Sequence, residues 1–95
     1  MNLETLRKYK AQIFEIGKKN GAYNIRVFGS TARAEDKDTS DIDIIVSINN
    51  DKSYFDLIAL WQDLQELLDC KVDLLTDDGI SPYVKEAILK EAVLL

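Results

Sequence analysis

The sequence contains no histidine and only one cysteine, Cys70. Without imidazole side chains the chain cannot form a Ser-His-Asp or Cys-His catalytic pair, nor a zinc site with histidine ligands. A lone cysteine cannot close a disulfide within the chain, so the reducing cytoplasm is the expected location. Any catalytic chemistry must therefore use carboxylates, hydroxyls or cationic side chains.

Long apolar runs and an excess of positive charge are also missing. No apolar stretch approaches the roughly 20 residues that a membrane-spanning helix needs, and the first residues do not form a charged leader followed by an apolar segment. The chain has 12 basic and 17 acidic residues, whereas domains that bind a nucleic-acid backbone are usually basic. We therefore expect a soluble protein without a membrane partner, for which nucleic acid is disfavoured as the main partner.

What the sequence does contain is enough apolar material for one core. Of its 95 residues, 46% are apolar, and there is neither an internal repeat nor a low-complexity tract. A chain of this length is typical of one compact domain, which we expect to span residues 1–95. A large substrate would then be held partly by another molecule.

Hydrophobic periodicity and turn residues predict helices that alternate with three strands. The predicted elements are helix 3–18, strand 24–28, a polar segment 31–40 with one helical turn, strand 42–48, helix 53–68, strand 71–76 and helix 82–93. In helix 53–68, one apolar face is expected to pack in the core: Tyr54, Leu57, Ile58, Trp61, Leu64 and Leu68. This order predicts an α/β (α+β) fold in which helices flank a small mixed sheet of about three strands.

Two aspartates, Asp41 and Asp43, stand at the entrance to the second predicted strand. Because side chains alternate along a strand, both carboxylates are expected on the same side, about 6.6 Å apart. The strand is rich in isoleucine and valine, so it should be buried, and like charges held close together there favour a bound cation. The alternative is a solvated strand end, which is the usual explanation of an isolated Asp-x-Asp pair.

Two further features lie on the neighbouring strands. Gly29-Ser30 ends the first strand, where a glycine that permits close backbone approach and a hydroxyl at a helix N-terminus would suit an anion such as phosphate; the alternative is a plain turn. Asp73 lies in the middle of the third strand between apolar residues. It is expected to join the other two aspartates, the alternative being an ion pair with Lys71.

The strongest motif is Phe28-Gly29-Ser30 followed, after ten residues, by Asp41-Ile42-Asp43. This motif resembles the signature of the DNA polymerase β superfamily of nucleotidyltransferases. In its short form the chain resembles the minimal nucleotidyltransferase (MNT) domain, the antitoxin of HEPN-domain toxins. The resemblance covers essentially the whole chain and implies the nucleotidyltransferase fold.

The resemblance also implies a role for each matching residue. Gly29 and Ser30 would bind the β- and γ-phosphates of ATP. Asp41, Asp43 and Asp73 would be the catalytic residues and the ligands of two Mg²⁺ ions, about 3.5 to 4 Å apart. The reaction would be in-line attack of a hydroxyl on the α-phosphorus, with pyrophosphate as the leaving group.

Arg33 lies three residues beyond the serine and would turn its guanidinium toward the same phosphates. The alternative is a surface arginine that pairs with Glu35 or Asp36. Family members often have arginine directly after the serine and glycine after the Ala-Arg pair, whereas this chain has Thr31 and Ala34. These differences remove one phosphate contact and some loop freedom.

For MNT antitoxins the resemblance implies transfer of AMP to a tyrosine of the HEPN toxin, which silences it. Phe55 falls outside the apolar arc of its helix and would suit a contact with such a partner, although a lone exposed aromatic side chain is common. Three alternatives stay open: an antitoxin that acts by binding alone, a transferase for small molecules, and a structural domain that binds no nucleotide.

Overall fold

The computed structural model describes residues 3–29 and 42–95. Helices and strands alternate along most of this part of the chain. The elements are α1 (Leu3–Arg7), α2 (Lys10–Lys19), β1 (Ala22–Val27), β2 (Ile42–Ile48), α3 (Tyr54–Leu68), β3 (Val72–Thr76), α4 (Pro82–Glu91) and β4 (Val93–Leu94).

The strands form one mixed sheet in the order β3-β2-β1-β4. Strand β1 is antiparallel to both β2 and β4, whereas β2 and β3 are parallel. Helix α3 connects the parallel pair, as a crossover between parallel strands requires. The sheet therefore has β2 at its centre and β3 at one edge.

The two faces of the sheet differ in character. Ile42, Ile44 and Val46 of β2 belong to the main hydrophobic core, and we call their side of the sheet the core face. Helices α2 and α3 contribute Ile13 and Leu60 to the same core. The alternate residues of β2 are Asp43, Ile45 and Ser47, and we call their side the site face. Burial of Ile45 on that side, with 0% exposure, accounts for the near-continuous apolar run of β2.

The predicted mixed α/β fold is confirmed, with three differences in detail. The single helix predicted over 3–18 is two helices, because the amides of Lys8 and Tyr9 donate to carbonyls three residues back and thereby end α1. The last helix ends at Glu91 rather than residue 93, and Val93–Leu94 forms a fourth strand. Two residues are too few for alternation to reveal a strand, so the sequence pattern contains no signal for β4.

Helix α3 begins where the sequence predicts, and its start is stabilised by Asp56. The backbone N–H of Ser53 donates to Oδ2 of Asp56 at 2.8 Å, and the Ser53 hydroxyl donates to the same oxygen at 3.1 Å. These two hydrogen bonds, the backbone one first, lower the pKa of Asp56 below its ordinary value. An acidic side chain in the first turn also suits the positive end of the helix dipole.

The predicted core face of α3 is only partly right. Leu64 and Leu68 are buried, but the third buried residue of α3 is Leu60, whereas Tyr54 is 73% exposed. The predicted apolar face was too wide. Tyr54 and Trp61 lie beside the edge strand β3 rather than over the sheet. None of the helices in the described ranges combines the length and apolarity that crossing a bilayer requires.

Candidate active site

The site starts from two carboxylates on adjacent parallel strands. Asp43 of β2 and Asp73 of β3 are direct register partners. Register partners in a parallel pair direct their side chains to the same face, and neighbouring strands lie about 4.8 Å apart. The sheet therefore brings these two predicted aspartates together on the site face, where they are the first pair of register partners between β2 and β3.

Gly29 approaches the same carboxylate from the end of β1. Its φ is +61°, and a Cβ built on it would lie 2.6 Å from Oδ2 of Asp43. The amide of Phe28 donates to the backbone carbonyl of Asp43 at 3.1 Å, which fixes the end of β1 against β2. A side chain at position 29 would thus collide with the carboxylate, so the close approach requires glycine.

Three predicted site residues, Ser30, Arg33 and Asp41, lie outside the described residues. Their predicted roles stay predictions. Within the two described ranges, no group of three potential metal-ligating side chains is found. Asp43 and Asp73 are therefore the two described residues of the three predicted metal ligands, and the third would be Asp41.

The described carboxylates fit a hard divalent cation. Asp43 is half-buried and Asp73 is exposed, so the pair faces solvent on one side and protein on the other. Two negative charges on neighbouring strands repel each other, and a cation between them removes that repulsion. Oxygen donors without nitrogen or sulfur favour Mg²⁺ or Mn²⁺ over softer metals. The alternative pairing of Asp73 with Lys71 does not occur in the part of the chain that the structure describes.

Farther along the site face is a polar network that the sequence did not reveal. The Ser47 hydroxyl donates to Oδ2 of Asp77, and Nη2 of Arg26 lies 3.5 Å from that hydroxyl and 3.7 Å from the same carboxylate oxygen. The network joins β1 and β2 to the turn that follows β3, and its Ser47 lies four residues beyond Asp43 along β2. Its residues are separated by 21 and 30 positions from Ser47, so only the strand register brings them together. We assign it to sheet stability, since buried Ser47 needs these partners.

A cleft of about 480 Å³ lies between α3 and the edge strand β3. One wall is aromatic and aliphatic, with Tyr54, Ile58 and Trp61, and the other is formed by β3 and includes Asp73. The indole N–H of Trp61 donates to the carbonyl of Val72 at 2.7 Å, which holds the two walls together. The cleft is therefore contiguous with one of the two site carboxylates.

Comparison with known proteins matches the chain to one family. Residues 5–95 match the model of the nucleotidyltransferase domain. A chain from Methanocaldococcus jannaschii, named as a candidate protein adenylyltransferase, is 44% identical over 93% of this chain and 95% of its own length. The protein adenylyltransferase MntA of Thermococcus cleftensis is 34% identical over 83% of this chain and 80% of its own length.

Solved structures share the fold. One described as a candidate minimal nucleotidyltransferase superposes with a TM-score of 0.90 and 36% identity, over 100% of this chain and 97% of that one. A toxin–antitoxin structure with AMP-PNP gives a TM-score of 0.75 at 24% identity, over 88% of this chain and 69% of the other. A mutant of the toxin–antitoxin pair MntA-HpeT gives 0.71 at 22%, over 87% and 68%. At those identities the last two are evidence of a common fold alone.

Proposed function

The chain belongs to the nucleotidyltransferase domain family, as a minimal nucleotidyltransferase domain, and from this membership we propose that it transfers AMP from ATP to a hydroxyl of a partner protein. The observation that supports this most is the register pairing of Asp43 with Asp73 beside Gly29. A metal-binding carboxylate pair next to a close backbone approach is what a triphosphate substrate requires. The relatives named as protein adenylyltransferases favour a protein acceptor.

Each predicted site residue has a defined task in this proposal. Asp43 and Asp73, together with Asp41, would hold two Mg²⁺ ions. When bound, these ions neutralise the triphosphate and favour loss of the proton from the acceptor hydroxyl. Gly29 leaves room for the phosphates because it has no side chain, and Ser30 would donate its hydroxyl to them. Arg33 would add a cationic contact to the same phosphates.

The reaction needs no reactant other than ATP and the acceptor hydroxyl. The acceptor oxygen forms a bond to the α-phosphorus while the bond from that phosphorus to the bridging oxygen breaks. Pyrophosphate leaves with the electron pair, and the hydroxyl proton passes to solvent. Positioning of the two oxygens in line and neutralisation of charge provide the rate enhancement.

The proposed partner is a HEPN-domain toxin, with one of its tyrosines as the acceptor. The family resemblance implies this pairing, and it agrees with the sequence similarity to an MntA protein adenylyltransferase, a name that also appears in a solved toxin–antitoxin pair. Transfer of AMP would silence the toxin, so the chain would act as its antitoxin. The reducing cytoplasm is the proposed location, in keeping with a single cysteine.

The proposal is tested by mixing the protein with ATP, Mg²⁺ and the HEPN-domain product of the adjacent gene, then measuring intact masses. We expect the partner to gain AMP units, at a rate that Asp43→Asn and Asp41→Asn each lower about 100-fold or more. Asp78→Asn is the matched control, because Asp78 is an exposed carboxylate on the turn after β3. No mass gain, combined with silencing of the toxin by wild type and both variants, would contradict transfer and favour an antitoxin that acts by binding alone.

A further inference from the structure

The cleft between α3 and β3 has an open hydrogen-bonding edge as well as an apolar wall. The backbone N–H of Ile42 donates to the carbonyl of Lys71, and the backbone N–H of Asp77 donates to the carbonyl of Val46. In a parallel ladder this register turns the backbone groups of alternate residues, Lys71 and Asp73 among them, toward β2. The N–H and C=O of Val72 and Leu74 must then point away from the sheet, into the cleft.

Helix α3 covers the outward backbone groups of only one of these two residues. Val72 is covered: its N–H donates to Oε1 of Gln65 at 3.1 Å, and its C=O accepts from Trp61. Among the described side chains, no comparable hydrogen bond reaches the backbone of Leu74. Within residues 3–29 and 42–95, one donor and one acceptor of the edge strand are therefore without a partner beside Tyr54 and Ile58, on the residue that follows Asp73.

We propose that this cleft binds an extended segment of the acceptor protein, which pairs with the backbone of Leu74 and presents its hydroxyl to Asp73. The inference rests on the proposed function, since it concerns the acceptor of that reaction. An extended peptide supplies the alternating N–H and C=O groups that an open strand edge pairs with, and its side chains find pockets in the flanking wall. Tyr54 and Trp61 are the residue types that most often anchor such contacts.

A polypeptide explains this cleft better than the adenine ring or a second copy of the chain. An adenine would stack on the aromatic wall and leave the outward N–H and C=O of Leu74 without regular partners. A second copy would place its own Asp73 at the same edge and add negative charge beside the pair. The acceptor segment satisfies the strand edge and also brings a hydroxyl to the carboxylates.

The decisive variant is Leu74→Pro, compared with Leu74→Ala. Both lose the half-buried leucine side chain, but only proline removes the outward N–H, and it leaves the ladder to β2 intact. We expect Leu74→Pro to raise the KM for the HEPN-domain partner about tenfold relative to Leu74→Ala. The KM for ATP should be equal in the two variants.

If a thermal melt shows that Leu74→Pro does not fold, a second pair of variants tests the same proposal. Tyr54 is 73% exposed and Tyr83 is 96% exposed, so neither tyrosine is needed for the core. Tyr54→Ala should raise the partner KM several-fold, whereas Tyr83→Ala, on α4 and outside the cleft, should leave it unchanged. Calorimetric Kd values for the partner provide the same comparison without any turnover.

The outcomes separate this inference from the proposed function. If wild type transfers AMP but the partner KM is the same for proline and alanine at position 74 and for both tyrosine variants, the docking proposal is wrong. If the cleft variants instead raise the KM for ATP, the docking proposal is overturned in favour of adenine. If they abolish self-association in gel filtration, it is overturned in favour of a second copy of the chain. If wild type transfers no AMP, the proposed function fails, and docking is judged by the Kd comparison alone.

Discussion

At the scale of single residues, the site depends on the absence of one side chain. Gly29 has a φ of +61°, and the space where its Cβ would be is occupied by the carboxylate of Asp43. The glycine thus satisfies two requirements at one position: a left-handed backbone and a close approach. Asp43 and Asp73 then need only the strand register to come together.

Gly29→Ala should lose transfer activity by about 10-fold or more, because the new Cβ displaces Asp43, and should destabilise the fold by about 1–2 kcal/mol. The matched control is Gly21→Ala. Gly21 also has a positive φ, +77°, but its Cβ would meet only the flexible side chain of Lys52. AMP transfer and thermal unfolding are measured for both. Equal activity losses in the two variants would contradict a specific role for the approach at Gly29.

Only some of the contacts between site-face residues could be predicted from the sequence. Asp73 is predicted beside Asp43 because both lie among apolar residues on predicted strands, and the two are register partners in the sheet. Their catalytic and metal-binding roles stay predictions. The bond between Ser47 and Asp77 could not be predicted, because each residue alone is typical of a strand or a turn. Long-range pairing of that kind depends on register, which local patterns do not encode.

At the scale of elements, α3 performs two tasks. Its buried leucines cover the core face, and its Trp61 and Gln65 side chains cover the outward backbone groups of Val72. Covering an edge strand in this way protects it from pairing with other chains. The sequence predicted where α3 begins and ends, since Ser53 and the apolar period mark both limits. It did not predict which apolar residues face the edge, because a helical wheel does not contain the position of β3.

The N-terminus of α3 should contribute stability that depends on pH. Hydrogen bonds from Ser53 lower the pKa of Asp56 in the folded protein, so in acid the unfolded chain binds the proton more readily. The contribution is complete above the unfolded pKa and is lost as pH falls through the folded pKa. The melting temperature of wild type should therefore exceed that of Asp56→Asn at pH 7, and the difference should shrink as pH falls below the ordinary pKa of 3.8. A difference that stays constant over this range would contradict the assignment.

At the scale of the whole molecule, two adjacent exposed aromatic residues stand at the start of α3. Phe55 is 81% exposed, as its place outside the apolar arc predicted, and its neighbour Tyr54 lines the cleft. Large aromatic side chains that contribute nothing to a core are frequent anchors of protein contacts. Phe55 does not line the cleft, so a partner would contact it only by covering the start of α3 as well.

Phe55→Glu should leave the melting temperature nearly unchanged and weaken binding of the HEPN-domain partner about 10-fold or more. The physical reason is the loss of a large apolar contact and its replacement by a charge in a desolvated interface. Calorimetric titration measures the affinity, with Tyr83→Glu as the matched control on α4. An unchanged Kd for Phe55→Glu would remove Phe55 from the interface.

The proposal that depends most on the sheet register is joint binding, by Asp43 and Asp73, of the metal ions that hold ATP at Gly29. Its most direct test is a crystal structure of the protein with Mn²⁺ and a non-hydrolysable ATP analogue, in which anomalous scattering locates the metal. We expect a Mn²⁺ peak within bonding distance of both carboxylates, with the triphosphate against the backbone of Gly29. Mn²⁺ and triphosphate bound elsewhere, with Asp73 directed away from Asp43, would contradict it.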